Sequence, residues 1–353
     1  MILDRYIGRN ILVTSILALF ALVAVFSFFS LVDQLDDTGR GNYGVADAIQ
    51  YVLLTIPRLS YELFPIATVI GSMAALGMLA NTSELAVIRT SGVSQAQLAY
   101  SLIKTGMVFV IVSLLIGEVI APVTEQAAQQ KRSIALTKQI SMKTKHGFWS
   151  RDGDNYINIR KILPGDRVEE IYIYEFDKEH HLRSSIYAKS AEYDQDKWVL
   201  HDILKTEITE EQVTNNHYET AEWEALLNPE VINMVTIKPR YLSILGLISY
   251  IDYLKANNQS SKQYIQAFWS KLISPFSIIA MILMSICVVR CEARPMGLGQ
   301  RVFIGALIGI TFHLLNQVSG HLGIVYGVPA FLSVCLPTIA VSIYIYYSLS
   351  RRY

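Results

Sequence analysis

Hydrophobic positions along this chain fall first in long unbroken runs, then in short alternating ones, then in long runs again. Between Arg9 and Asp33 stand 23 residues without a formal charge, Phe20, Phe26, Phe28 and Phe29 among them. Roughly 20 apolar residues in a helix cross the ~30 Å hydrocarbon core of a bilayer, so this run predicts a membrane span. It is too long for a signal-peptide core, and no small-residue cleavage pattern follows it. Leu63 to Ser83 is uncharged over 21 residues, and the less apolar stretch Ala46 to Tyr61 can extend the same helix. A third run, from about Leu98 to Pro122, is interrupted only by Lys104 and Glu118, near opposite ends where they reach headgroups or an aqueous cavity. Leu272 to Val289 makes a fourth. The 49 residues from Val302 to Ser350 contain no Asp, Glu, Lys or Arg, too many for one helix but enough for two joined at Gly323 to Pro329.

The polar stretch from about Thr124 to Lys271 is long enough for a domain with its own core. Tyr156 to Ile159, Ile171 to Phe176, Ser185 to Ala188 and Trp198 to Ile203 read as strands, with turn chemistry at Asp152-Gly153 and Pro164-Gly165-Asp166. Short, closely spaced strands suggest a sandwich or barrel-like sheet. From Ile237 to Tyr264 the helical period returns, with Leu242, Leu245, Leu247, Ile251 and Leu254 on one face. The expected fold is a membrane protein, an α-helical bundle of six transmembrane helices with an all-β domain inserted between helices three and four. Residues 1–123 carry spans one to three with a loop at 81–97, residues 124–265 the β domain and its helical return, and residues 266–353 spans four to six.

Composition agrees with lipid as part of the solvent: 52% of the 353 residues are hydrophobic and 17% charged. Thirty basic residues balance thirty acidic ones, so net charge points to no nucleic-acid partner. Cys287, Cys291 and Cys335 all lie in or beside apolar runs, which leaves no disulfide framework in the polar middle. Local charge sets orientation. Arg5, Arg9, Arg89, Arg290, Arg294, Arg301, Arg351 and Arg352 gather on one side, whereas short loops on the other hold only Arg40 and Arg58 against five acids. By the positive-inside rule both termini are expected in the cytoplasm and the polar domain outside, in a bacterium the periplasm.

Catalytic signatures are lacking. No phosphate loop of the G-x-x-x-x-G-K-[ST] type occurs, so nothing argues that this chain hydrolyses ATP itself. No G-x-S-x-G elbow or Cys-His pair suggests a nucleophile. Adjacent His180-His181 fits a solvated turn better than a metal site. His313 and His321, eight apart on one helical face, invite a proton or ligand role, with packing the plainer reading. No cofactor is expected in this chain.

Several short motifs then occur in order: Leu3-Asp4-Arg5-Tyr6-Ile7-Gly8, Val32-Asp33-Gln34-Leu35, Ser83-Glu84-Leu85 with Ser91-Gly92, Gly147-Phe148-Trp149, Tyr253-Leu254-Lys255, Trp269-Ser270-Lys271, Pro295-Met296-Gly297 and Val325-Tyr326-Gly327-Val328-Pro329. With six spans and an exported domain after the third, the chain resembles the LptF/LptG family of lipopolysaccharide export permeases. The resemblance implies a heterodimer with an LptF-like sister permease enclosing an outward-opening cavity. A pair of LptB-like ATPase subunits, binding ATP and Mg, would drive it from the cytoplasm. The exported part would be a jellyroll-like β domain beneath an LptC-like bridge protein, and the substrate would be lipopolysaccharide from the outer leaflet of the inner membrane.

Such a role needs an apolar wall for acyl chains and cations for the lipid A phosphates. Leu22, Phe26, Phe29 and Leu63 are candidates for the wall. Lys131 and Arg132, just after span three, are candidates for the phosphates; a solvated pair is the plainer alternative. Arg132 matches a basic family position, while the family's second arginine, a turn earlier, is Gln129 here. Where better-known members carry lysines around the outer end of span one, this chain has Ser30 and Asp36-Asp37. Arg40, Lys131, Arg132 and the partner subunit then supply the cations, or divalent ions bridge acid to phosphate, or the lipid differs. The 81–97 loop is the candidate ATPase-coupling element. Ser83 can cap a short helix in which Leu85, Val87 and Ile88 form an apolar ridge flanked by Glu84 and Arg89, ended by Ser91-Gly92. A loop resting on headgroups is the alternative.

Two other readings compete. A membrane sensor with a ligand-binding exported domain would need a separate effector, since the longest cytoplasmic segment is only about 17 residues. A lipoprotein-release permease usually places its exported domain after the first of four spans.

Overall fold

The computed structural model describes residues 2–137, 142–152, 155–163, 167–177, 179, 181–194, 197–209, 212–223, 238–257, 259–290 and 297–350. Among the described residues, six helices are long and apolar enough to cross a membrane. The first charge-free run is helix α1, Ile2–Leu35. The second is α2, Val45–Asn81, a single helix of 37 residues that absorbs the weakly apolar Ala46 to Tyr61 stretch despite Pro57 and Pro65. A short helix α3, Glu84–Thr90, turns the chain. Helix α4, Gln95–Leu115, starts at a reciprocal cap: Ser94 Oγ accepts from the Gln97 amide at 3.2 Å while Gln97 Oε1 accepts from the Ser94 amide at 2.9 Å. It passes through one π turn, Ile116–Ile120, into α5, Ala121–Thr137, so the third span and the stalk beyond it form one continuous helical rod.

The insertion follows as six strands: β1 Met142–Asp152, β2 Asn155–Leu163, β3 Arg167–Phe176, β4 Leu182–Asp194, β5 Lys197–Ile208 and β6 Val213–Trp223. All neighbours are antiparallel and sequential, an up-and-down meander in one sheet. The insertion is therefore all-β as expected, and among the described residues it shows no crossover of the Greek-key kind that a two-sheet jellyroll contains. Its apolar face holds Ile157, Ile159, Val168, Ile171, Ile173, Ala188, Trp198, Leu200 and Ile203 in one cluster. The turn residues Gly153 and Pro164-Gly165-Asp166 lie outside the described residues.

The chain returns through a 3-10 turn, Pro239–Tyr241, and helix α6, Ile244–Ala256, which Ser243 caps through the Gly246 amide. Leu247, Tyr250, Ile251 and Leu254 are buried on α6, but Leu245 is 77% exposed. The apolar face expected there omits Leu245, because a residue two positions before Leu247 lies about 200° around the helix from it. Helices α7, Lys262–Arg290, α8, Leu298–Tyr326, and α9, Ala330–Ser350, complete the bundle. The break between the last two falls at Gly327, whose φ of 69° lies in the left-handed region that glycine adopts without cost.

Helix α2 is the central one. Its Leu63, Ile66, Val69, Ile70 and Met73 meet Val23 of α1, Met281 of α7 and Phe312 of α8 in one cluster. Nearer the ends that carry the chain termini, Ile7, Ile11, Leu76, Leu79, Leu98 and Leu102 form a second. Arg301, placed by the sequence among the basic residues of a short loop, is 1% exposed. Its guanidinium donates to the Gly77 carbonyl and, at 3.0 Å, to Asn81 Oδ1, closing the last turn of α2. Gly77 is required there, since a Cβ would occupy the position of the arginine stem.

Candidate functional site

The sheet end of the bundle brings together residues far apart in sequence. The loop after α1 turns back through Gly41, in the left-handed region at φ 62°, and the Asn42 amide donates to the Ala135 carbonyl of α5 at 2.8 Å. This docking sets Asp37 against α5. Arg132 Nη2 lies 2.6 Å from Asp37 Oδ2, Arg132 Nε donates to Gln34 Oε1 at 2.7 Å, and Arg40 Nη1 reaches Asp37 Oδ1 at 2.5 Å. One carboxylate is thus held between two guanidiniums. The Tyr43 hydroxyl donates to the same Gln34 oxygen at 3.1 Å, and burial pushes its pKa up against the pull of Arg132, which keeps the proton on the phenol. The Arg132 guanidinium also lies over the Tyr51 ring at 5.5 Å.

A second network continues from this one along α5. Gln129 Nε2 donates to the Tyr51 hydroxyl at 3.0 Å and to Glu125 Oε1 at 2.8 Å. Glu125, 1% exposed, pairs with Arg58 Nε at 3.0 Å. Arg58 also reaches Glu62 at 3.6 Å and donates to the Tyr241 hydroxyl at 3.0 Å. The charges of this network are paired with one another, as low-dielectric surroundings demand. Lower still, Glu118 in the π turn accepts from Lys271 Nζ at 2.6 Å with one oxygen and from the Ile244 amide at 2.6 Å with the other. Lys271 donates as well to the Gly117 carbonyl at 3.1 Å. Gly117 is there because the Tyr61 ring packs where a Cβ would project. Sequence reasoning placed Glu118 at the headgroups or an aqueous cavity; instead it ties α4, α6 and α7 together. Arg58 and Glu62, counted from the sequence among short-loop charges, lie inside α2, and Lys271 was noted only within the Trp269-Ser270-Lys271 motif; Glu125 and Tyr241 were not singled out, although a charge in an otherwise apolar helix was the available signal.

Of the expected phosphate binders, Arg132 and Arg40 share Asp37, while Lys131 is exposed and has no ion pair among the described residues. Of the expected apolar wall, Phe26 and Phe29 are 45% and 63% exposed on the outward face of α1. Leu22 is half-buried, and Leu63 is buried within the chain's own core, where it cannot line an outer wall. The periodicity of α2 brings Leu63 onto the stripe that meets Val23 and Phe312.

At the opposite end, α3 lies against the bundle. Ser83 precedes it in the left-handed region, its carbonyl accepting the Val87 amide, and Gly92 follows it at φ 91°. Leu85 and Ile88 do not form an outward ridge with Val87. They are 6% and 9% exposed and join Ile7, Leu79 and Leu98 in one cluster, since a short helix lying flat must bury its own apolar side. The outward face carries Ala86, Val87 and Thr90. Glu84 accepts from the Tyr6 hydroxyl at 2.8 Å and the Thr82 hydroxyl at 3.0 Å, which locks α3 to α1. The Arg89 side chain, Pro295-Met296 and His180 lie outside the described residues. His181 is exposed and sits 3.4 Å from Asp177 in the β3–β4 turn.

Between α2, α7 and α8, under the 3-10 turn, is a cavity of about 550 Å³. It is the space into which His313, Gln317 and His321 of α8 face, together with Arg58 and Glu62 of α2 and Lys238 and Arg240 of the returning chain.

Comparison with known proteins gives a consistent result. The family described as lipopolysaccharide export system permease LptF/LptG matches residues 5–351. The chain is similar to the lipopolysaccharide export system permease protein LptG of Haemophilus influenzae, 32% identical over 352 residues, 99% of this chain and 98% of that one. It is likewise similar to the protein of that name from Escherichia coli K12, 35% identical over 340 residues, 96% of this chain and 94% of that one.

Proposed function

Because the chain belongs to the LptF/LptG family of lipopolysaccharide export system permeases, we propose that it is one of two permease subunits of an ATP-driven transporter that extracts lipopolysaccharide from the outer leaflet of the inner membrane. Its partners in this reading are an LptF-like sister permease, an LptB-like ATPase pair and an LptC-like bridge protein that receives the lipid. The termini and α3 face the cytoplasm, where the ATPase is, and the six-stranded sheet stands in the periplasm. The basic residues at the terminal ends support that orientation.

The observation that carries the proposal is the sheet-end rim joined to an unpartnered helix face. Val25, Phe26, Phe28, Phe29 and Val32 of α1 are exposed just below the Asp37–Arg132–Arg40 cluster. An apolar surface ending at charge that can exchange partners suits an amphiphile whose chains leave lipid while its phosphates leave water. Asp37 acts there as a resident counterion, surrendering Arg132 and Arg40 to phosphate when substrate arrives. Exposed Lys131 adds a cation beside them. On the cytoplasmic side, the Ala86, Val87 and Thr90 face of α3 docks in an ATPase groove, while Leu85, Ile88 and Glu84 fix α3 to the bundle so that its displacement moves the helices.

Affinity purification in mild detergent from native membranes, with mass spectrometry of retained protein and lipid, tests the proposal. Recovery of an ATPase, a second six-span permease and lipopolysaccharide is the expected result. Recovery of a signalling enzyme without any ATPase would replace it with the sensor reading.

A further inference from the structure

The α2–α7–α8 cavity lies apart from the Asp37–Arg132–Arg40 cluster, although Arg58 and Glu62 on its wall belong to the network that continues from it. At 1.5 Å per residue, Gln317 and His313 lie about 14 and 20 Å below the sheet end of α8 at Tyr326. Polar side chains at that depth are costly against hydrocarbon; these two lie within hydrogen-bond distance of each other at 3.2 Å, which satisfies one polar group on each and leaves the others to face water or a polar ligand. The interior cations are committed, Arg58 to Glu125 and Glu62, Lys271 to Glu118. Lys238 and Arg240 at the mouth are exposed and make no ion pair among the described residues. The inner wall is apolar where Pro65, Ile66, Phe312 and Val334 close it. A volume of about 550 Å³, within the usual 300–1,000 Å³ range of ligand pockets, is larger than ordered water alone calls for.

We infer that this cavity is a binding site for a phosphate-bearing lipid headgroup, with Arg240 and Lys238 holding the phosphate and Gln317 and His313 bonding the hydroxyls beneath it. Its apolar floor takes the first methylenes of an acyl chain. Two lipids carry that chemistry, the phosphorylated glucosamine lipid of the proposed export reaction and an ordinary anionic glycerophospholipid. The inference rests on the proposed function only for which of the two enters.

The test uses the full-length protein in phosphatidylcholine nanodiscs doped with either phosphatidylglycerol or lipid A, followed by transfer to mild detergent and quantitation of retained phosphorus and lipid per protein. Retention of about one doped lipid is expected, falling at least fivefold in the double variant Arg240→Gln/Lys238→Gln and staying unchanged in Lys131→Gln. Ser270→Trp, which fills the cavity from an exposed position and removes no charge, is expected to give the same loss at an unchanged melting temperature. Retention of lipid A alone assigns the site to the transported lipid; retention of phosphatidylglycerol, alone or with lipid A, assigns it to headgroup phosphate in general. Equal retention in parent, double variant and Ser270→Trp would overturn the inference. Vesicles of the purified complex that export normally with the cavity empty sink this site and leave the export reading standing; a filled cavity without export does the reverse.

Discussion

Replacing Lys271 by methionine tests the bundle's internal wiring most directly. The ammonium is 5% exposed and lies 2.6 Å from Glu118, whose side chain is 22% exposed, and it also donates to the Gly117 carbonyl at 3.1 Å. Breaking a buried pair by removing one partner costs about 3–5 kcal/mol, and water reaching Glu118 recovers part of that, so about 2–4 kcal/mol is expected here. The double variant Lys271→Met/Glu118→Gln removes the stranded charge yet keeps an acceptor for the Ile244 amide, and should recover about 2 kcal/mol of the loss. Lys271→Met/Glu118→Leu orphans that amide and should fall between the two. Thermal unfolding of the detergent-solubilised full-length protein reads the series. With roughly 2 °C per kcal/mol for a large domain, the single variant should melt about 4–8 °C lower. If the loss in Lys271→Met/Glu118→Gln equals the sum of the two single losses, the residues do not act as a pair and the reasoning fails.

Asp37→Asn should free Arg132 and raise the affinity of the purified protein for lipid A several-fold, and Arg132→Gln should lower it, neither affecting dephosphorylated lipid A; equal effects on both lipids would remove Asp37 as counterion. Arg301→Met leaves the Gly77 carbonyl and Asn81 short of a donor and should cost about 2–3 kcal/mol, with Arg301→Lys recovering only part, both read from melting temperature. Val87→Asp on the outer face of α3 should lower ATP-driven export in vesicles of the complex at unchanged melting temperature, and normal export would rule that face out as the ATPase contact. The Asp177 carboxyl is held below its ordinary value of 3.8, first by the His181 amide, and its contribution to the β3–β4 turn is therefore present above that value and lost as pH falls through the depressed one. Amide exchange in the turn, corrected for intrinsic rate, should rise below pH 3.8 in the parent but be pH-independent in Asp177→Ala.

Six spans and an all-β insertion were legible because charge-free runs and period-two alternation are local signals. The extension of α2 through Ala46 to Tyr61 was legible because that stretch stays largely apolar despite Asp47 and Arg58. The partnerships were not, because Asp37 meets Arg132 across 95 positions and Lys271 meets Glu118 across 153. Sequence alone showed an acidic rim at Asp36-Asp37; only the folded loop shows that Asp37 pairs with both arginines expected to bind phosphate. Leu85, Ile88 and Leu63 were read as outward apolar residues because hydrophobicity marks burial without saying whether lipid, partner or the chain's own core does the burying.

The rod formed by α4, the π turn and α5 has a mechanical consequence. It runs unbroken from Gln95, beside α3, to Leu136, at the base of the sheet, about 63 Å at 1.5 Å per residue. Its one irregular turn, Ile116–Ile120, is clamped to α7 through Lys271. A rod held near its middle is a lever. A tilt of about 5° around Glu118 swings the far end, some 27 Å away, by about 2 Å. That travel is comparable to the 2.6 Å Arg132–Asp37 contact, so a tilt must either carry the Gly41–Asn42 loop along through the Asn42–Ala135 bond or part the ion pair.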